Sequence, residues 1–202
     1  MGGARHRLIA DLATLARDRP WRPTRDELAA AQGASIPDVV AAGLDVLFCG
    51  INPGLWSGAT GRHFARPGNR FWKTLHAAGF TDRVLSPWDT TDMLAAGFGI
   101  TNLVNRATAT AAELDDDELR TGAERLTATA TTYGPRFVAV VGVSAYRIAF
   151  GRPKASVGEQ AERIGPSRAW VLPNPSGLNA HYQLPQLATT FRALHDAARG
   201  GR

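Results

Sequence analysis

Two asparagine-proline loops are the places in this sequence where residue types and spacing could support chemistry. Asn52-Pro53-Gly54 follows the apolar run 45–51, and Asn174-Pro175-Ser176-Gly177 follows the apolar run 169–172. Parallel α/β sheets bind ligands in loops at the carboxyl ends of their strands. One Asn-Pro turn is commonplace, but two such turns after core strands predict a shared ligand site. Gly-rich loops at strand ends also bind phosphates, so a nucleotide- or nucleic-acid-binding module without catalysis is an alternative.

Other reactive constellations are weaker. Ser176 and His181 could form a nucleophile and its base, but Ser176 lacks the context of a nucleophile elbow, and no carboxylate is placed to orient His181. The five histidines are scattered without ligand spacing, so no metal site is expected. The single cysteine, Cys49, excludes a disulfide framework and a four-cysteine cluster, and it is interpreted as a small buried hydrophobe. We expect no cofactor.

Strand patterns alternate with helical ones, which favours βαβ units. The predicted fold is α/β. It has three layers, α/β/α, and the middle layer is a mostly parallel sheet of four to five strands. We expect its right-handed crossovers to bring the strand ends to one edge. The loop after the first strand is predicted to continue to Arg70, and Ser144 to cap a helix. Residues 151–167 are polar and hairpin-like but carry no strong pattern. The predicted strands are 45–51, 99–104, 137–142 and 169–172; the predicted helices are 69–78, 87–96, 113–132 and 184–198.

Residues 1–35 are predicted to be a helical extension of unassigned function, and residues 36–202 the main domain. Thr24 and Glu27 have the spacing of a capping box. The net charge of +5 and the excess of Arg over Lys fit either a GC-rich genome or a polyanionic partner. No apolar run reaches membrane-spanning length and no signal peptide is recognisable, so we expect no membrane association and a cytoplasmic protein, associated with the nucleoid in a prokaryote.

Three motifs carry a family resemblance: GINPG at 50–54, FARPGNRFW at 64–72 and LPNPSGL at 172–178. Together they resemble the uracil-DNA glycosylase superfamily, in its mismatch-specific uracil/thymine branch, over residues 36–198. The resemblance implies a monofunctional, monomeric DNA glycosylase that flips uracil, and thymine or other damaged bases, out of G·U and G·T mismatches in double-stranded DNA. It would then hydrolyse the N-glycosidic bond and so initiate base excision repair. The iron–sulfur branches of the superfamily need four cysteines, so one cysteine fits.

The resemblance assigns roles to residues of the first loop. Asn52 matches the position that holds the catalytic water; an amide orients water but cannot accept its proton, so slow chemistry is expected. The alternative for Asn52 is an Asx turn. Gly54 stands where the uracil-specific branch has a tyrosine that blocks the 5-methyl group of thymine, although a turn could also require glycine. Phe64 matches the aromatic that stacks on the flipped base, or it is a core residue. The backbones of Ile51 and Phe64 are expected to contact the base edge.

In the second loop, Asn174 stands where the uracil-specific branch has a histidine that stabilises the uracil anion. The stretch Ser176, Gly177, Leu178 and Asn179 resembles the wedge that enters the duplex when the base leaves; the alternative for Leu178 is a core side chain. Asn102 is interpreted with equal weight as a specificity residue or an ordinary strand-end amide. Arg62 and His63, beside the first loop, are expected to be solvated, with a phosphate contact as the alternative.

Overall fold

The computed structural model describes residues 21–177 and 182–200, and the fold is a five-stranded sheet between helices. The strand order is β2-β1-β3-β5-β4. Four strands are parallel, and β4 runs antiparallel to β5 at one edge. The predicted mostly parallel sheet is therefore confirmed. The strands are β1 (Val46–Gly50), β2 (Phe98–Asn102), β3 (Phe137–Val141), β4 (Gly158–Ile164) and β5 (Ser167–Leu172).

Helices cover both faces of the sheet, which confirms the three layers. A 3₁₀ turn at Ala111–Glu113 precedes the longest helix. In the part of the chain that the structure describes, no helix is long and apolar enough to cross a membrane. The α-helices are α1 (Arg25–Ala30), α2 (Leu55–Thr60), α3 (Phe71–Ala78), α4 (Thr90–Ala95), α5 (Asp116–Tyr133), α6 (Val143–Ala149) and α7 (Leu184–Arg199).

The core is divided by the sheet into two hydrophobic clusters, because successive strand residues point to opposite faces. Phe48 packs in the cluster that includes residues of α3 and α7. Its neighbours Leu47 and Cys49 pack in the cluster that includes residues of α5 and α6. Both faces of the central strands β1 and β3 are buried, so these two strands are almost continuously apolar in sequence. Cys49 is fully buried, as predicted, and burial raises the pKa of its thiol well above the usual range.

Some local predictions were wrong. The loop after β1 is interrupted by α2, which begins after Gly54 and ends at Gly61 in a left-handed conformation (φ 68°). Ser144 does not cap a helix, because α6 already begins after Gly142. The hairpin-like character of residues 151–167 is confirmed, because this stretch contains all of β4, which pairs antiparallel with the following strand β5. The capping box of Thr24 and Glu27 is confirmed.

The carboxyl ends of the parallel strands meet at one edge of the sheet. Gly50, the last residue of β1, pairs with Asn102, the last residue of β2. Val141 of β3 pairs with Leu172 of β5, immediately before the second Asn-Pro loop. The register therefore places both Asn-Pro loops and Asn102 around one point. The predicted domain boundary after residue 35 stays a prediction. Helix α1, which precedes that boundary, packs against α2, which follows it.

Candidate active site

A cavity of about 290 Å³ opens at this carboxyl edge, and both Asn-Pro loops contribute to it. A larger cavity, about 480 Å³, lies at the opposite edge near Asp45 and Phe98, and it contains none of the predicted site residues. The chemistry-bearing side chains therefore identify the smaller cavity as the site. The predicted residues that line it are Ile51, Asn52, Gly54, Phe64, Asn102, Asn174 and Ser176.

The side chain of Asn52 is held in one orientation by its amide nitrogen. Nδ2 donates to the hydroxyl of Thr108 at 2.7 Å, to the carbonyl of Arg106 at 2.9 Å and to the carbonyl of Pro53 at 3.2 Å. The Thr108 hydroxyl gives its own proton to the carbonyl of Thr110 at 2.7 Å, so it can only accept from Asn52. Three acceptors around one atom identify that atom as the nitrogen.

The amide oxygen of Asn52 is consequently turned away from these three acceptors. Oδ1 accepts no hydrogen bond from the described residues, and it is not completely buried. Asn52 itself lines the cavity. An accessible, fixed acceptor can orient a water molecule by one of its protons. Asn52 does not simply close an Asx turn, because its contacts reach residues more than fifty positions away.

Asn102 is buried at the floor of the cavity, and His63 determines how its amide is oriented. Nε2 of His63 lies 3.0 Å from the carbonyl oxygen of Pro37, and Nδ1 lies 3.2 Å from Nδ2 of Asn102. A carbonyl oxygen can only accept, so Nε2 carries the proton and Nδ1 accepts from the Asn102 amide. The oxygen of Asn102 is then the atom beside Gly50, where a built Cβ would approach it to 2.5 Å.

The prediction that His63 is solvated was wrong. His63 is 3% exposed, and burial lowers its pKa to about 4 from the usual 6.5, against smaller opposite effects of Pro37 and Asp38. The imidazole is therefore neutral near pH 7, which its accepting role at Nδ1 requires. The backbone carbonyl of Asn102 is held as well, by Arg125, whose guanidinium also pairs with Asp38. The floor of the cavity thus presents a fixed hydrogen-bond acceptor.

Phe64 forms an aromatic wall of the cavity. Its ring stacks on Phe71 with 4.0 Å between centroids and 17° between planes. One face of the ring is covered in this way, which leaves a single face for a planar ligand. Phe64 is also the non-glycine residue of the described chain with a positive φ, 51°. Such a conformation costs of order 1 kcal/mol and is typical of functional sites.

Gly54 and Ile51 border the cavity near Asn52. Gly54 has an ordinary φ of −76°, and a Cβ built on it would meet no atom within 4 Å. The turn therefore does not require glycine, and the space beside Gly54 is open. The carbonyl of Ile51 accepts from the backbone of Val104 at 2.9 Å, and its side chain packs against Gly142. A base contact of Ile51 through its backbone stays a prediction.

The second loop is shaped by Asn174 and anchored by Arg70. Oδ1 of Asn174 accepts from the backbone N–H of Ser176 at 2.9 Å, which forms an Asx turn. The guanidinium of Arg70 donates to the carbonyls of Ser176 and, at 2.6 Å, Tyr182. Gly177 lies so close to Gly68 that a Cβ on it would be 2.7 Å from the Gly68 carbonyl oxygen. Arg70, at the start of α3, therefore holds the chain at Ser176 and at Tyr182.

Two predicted wedge residues, Leu178 and Asn179, lie outside the described residues, and so does His181. The structure adds three polar residues that the sequence pattern did not single out for the site: Thr108, His63 in its buried role, and Arg70. Arg70 stands inside the FARPGNRFW motif, so the motif contained a signal for it. No group of three or more His, Cys, Asp or Glu side chains within residues 21–177 and 182–200 is placed to hold a metal ion.

Comparison with known proteins agrees with this architecture. The family model of the uracil DNA glycosylase superfamily matches residues 37–197. A candidate uracil DNA glycosylase from Methanosarcina acetivorans, solved by NMR, is 19% identical, with a TM-score of 0.54, over 81% of this chain and 98% of its own. At that identity the likeness supports the fold alone. The match over most of the chain shows that the protein belongs to the uracil DNA glycosylase superfamily. Membership implies DNA glycosylase activity, a hydrolase reaction on DNA.

Proposed function

We propose that this protein removes uracil from G·U mismatches in duplex DNA by hydrolysing the N-glycosidic bond, as a monofunctional enzyme of the mismatch-specific branch. The observation that carries the proposal is the orientation of Asn52. Three acceptors hold its nitrogen, so its oxygen stays accessible at the cavity that would receive a flipped base. A module that only bound nucleic acid would have no use for a fixed water-holding group beside a stacking ring.

The reaction would proceed with the base leaving as an anion while the sugar becomes oxocarbenium-like. Asn52 would hold a water molecule near the sugar carbon, and water oxygen would form the new bond as the glycosidic bond breaks. An amide does not take the water's proton, so the proton has to pass to solvent or to the departing base. Positioning without a general base supplies only part of the usual rate enhancement. We therefore expect slow chemistry.

The acceptor on Asn102 would select the base. Uracil and thymine carry an N–H at position 3, which can donate to Oδ1 of Asn102, whereas cytosine presents a lone pair there. A lone pair facing a buried acceptor leaves both groups unsatisfied, and such a mismatch is strongly rejected. Phe64 would stack on either ring without distinguishing them. The fixed polarity of the floor thus supports uracil, rather than cytosine, as the substrate.

Thymine excision is the second part of the proposal, and the open space at Gly54 supports it. The 5-methyl group of thymine needs room on the pyrimidine edge, and no atom would contact a Cβ at Gly54 within 4 Å. In the duplex, the wedge stretch from Ser176 to Asn179 would fill the space that the base leaves. Arg70 would hold that stretch beside the cavity through its contacts on both sides.

The test is single-turnover excision from duplexes that place uracil, thymine, ethenocytosine, hypoxanthine, xanthine or cytosine opposite guanine, with alkali used to reveal abasic sites. We expect excision of uracil, slower excision of thymine, and none of cytosine. Asn52→Ala should lower uracil excision by about 10²-fold or more, the scale of a positioned catalytic group. Duplex affinity should change little, because phosphate contacts dominate it.

Gly54→Ala is the matched control, since it adds a methyl group to open space and leaves Asn52 untouched. It should excise uracil at the wild-type rate. Wild-type protein that binds G·U duplexes and produces no abasic sites would favour the binding-module alternative. If Asn52→Ala lost duplex binding and base excision to the same extent, the role of Asn52 would be purely structural.

A further inference from the structure

Residues 33–36, outside the part that the family model matches, pair with the loop that follows β2. The backbone N–H of Gly33 donates to the carbonyl of Ala107, and the N–H of Ala107 donates to the carbonyl of Ala34, both at 2.8 Å. The side chain of Asn105 pairs with the backbone of Ile36 in both directions, at 3.0 Å to its N–H and 2.9 Å to its carbonyl. Four hydrogen bonds therefore join the two segments.

The same loop holds Asn52 from its other side. The carbonyl of Arg106 and the hydroxyl of Thr108, the two residues that flank Ala107, accept from the Asn52 amide. The N–H of Thr108 donates to the carbonyl of Pro53 at 3.1 Å. A shift of the backbone at Ala107 would thus move both acceptors. The pairing with residues 33–36 restrains that backbone.

Packing reinforces this restraint. Ala107 is fully buried, and a Cβ built on Gly58 of α2 would lie 2.7 Å from the Ala107 side chain and 3.1 Å from the Ala31 carbonyl. Residue 31, α2 and the loop therefore form a close three-way contact that allows little movement. Asn105 contributes to this contact but does not line the cavity. A substitution of Asn105 can therefore weaken the contact without changing a cavity-lining side chain.

We propose that Asn105 is a positioning residue that fixes the acceptors of Asn52 through the pairing with residues 33–36. Residues 33–36, which lie before the matched family region, are on this view part of the catalytic support. The inference rests on the proposed function, since it requires that the orientation of Asn52 limits base excision. It also claims that Asn105 restrains the side-chain amide of Asn52, and this claim can be tested without measuring base excision.

The kinetic test is a double-mutant cycle with Asn105→Ala and Asn52→Ala on a G·U duplex under single-turnover conditions. Asn105→Ala alone should slow excision about five- to twentyfold, as expected for weakening one or two hydrogen bonds that orient a group. In the Asn52→Ala background it should have no further effect, because there is no amide left to orient. Gln32→Ala is the matched control: it removes a hydrogen bond to Glu113 at the edge of the same contact and should leave the rate unchanged.

The spectroscopic test follows the side-chain amide of Asn52 by ¹⁵N NMR, with the signal assigned by its loss in Asn52→Ala. Asn105→Ala should speed hydrogen exchange of that NH₂ group by about the same factor, while Gln32→Ala leaves it unchanged; the spectrum also shows whether each variant is folded.

An unchanged exchange rate and excision rate in folded Asn105→Ala would overturn the proposal. A loss that persists in the Asn52→Ala background would also overturn it, since Asn105 would then act elsewhere, for example through Ile36, which lines the cavity. Faster exchange in a protein whose wild type excises no base would support the positioning role and contradict the proposed function alone.

Discussion

The buried histidine beneath the candidate active site predicts a specific acid sensitivity. The folded protein keeps His63 neutral down to about pH 4, because burial lowers its pKa to about 4, while an unfolded chain protonates the imidazole at about 6.5. Between these two values the unfolded state binds more protons. The free energy of unfolding must therefore fall as the pH is lowered through this window, and the loss should level off below about pH 4.

The size of the effect follows from the two pKa values. Each pH unit inside the window corresponds to about 1.4 kcal/mol, so lowering the pH from about 6.5 to about 5 should cost about 2 kcal/mol. The ordinary pKa values of carboxylates lie below this range, so they contribute little to it. In His63→Gln, an amide replaces the imidazole; it can donate to Pro37 and accept from Asn102 without titrating. This variant should lose about 2 kcal/mol less than the wild type over the same interval.

The assay is urea unfolding followed by tryptophan fluorescence at about pH 7.5, 6.5 and 5, with wild type and His63→Gln compared at each pH. The quantity of interest is the difference between the two proteins as a function of pH, so a constant cost of the substitution cancels. His63→Gln should also keep its preference for uracil over cytosine, because the polarity of Asn102 is retained. Parallel pH dependences in the two proteins would refute the assignment of His63 as a buried neutral group.

Substitutions at three further positions test the cavity, the support of Asn52 and the predicted wedge. Gly54→Tyr should lower excision of thymine more than that of uracil, because the ring would occupy the space needed by the 5-methyl group; an unchanged ratio of G·T to G·U rates in folded protein would mean that the 5-position lies elsewhere. Thr108→Val removes one acceptor of the Asn52 amide and should slow single-turnover excision about tenfold, whereas Thr108→Ser should restore the rate; equal rates in both variants would contradict this. Leu178→Ala should slow excision from duplexes more than from single strands while the melting temperature stays nearly constant, since truncation of a core leucine would instead cost about 2–5 kcal/mol. Early melting with normal excision per folded molecule would assign Leu178 to the core.

The sequence by itself determined the four parallel strands of the sheet and the position of the site. Buried strands require apolar residues on both faces, and those runs are visible in β1, β3 and β5. Loops at the carboxyl ends of parallel strands converge by topology, so the meeting of Asn52 and Asn174 at one cavity followed from the pattern. The glycine at 54 and the aromatic at 64 belong to local motifs, and both line the cavity as the motifs suggest.

Only the tertiary structure decided how the polar groups are oriented. The polarity of Asn102 depends on His63, whose tautomer is set by a carbonyl at residue 37, and Asn52 is oriented by Arg106 and Thr108. These partners are 26 to 56 positions apart in the chain and follow no periodic pattern. A hydrogen bond needs one donor and one acceptor at about 3 Å, a condition that the packing of distant segments satisfies and that residue type does not reveal. For the same reason, the pairing of residues 33–36 with the loop after β2 is a property of the tertiary structure that the sequence does not reveal.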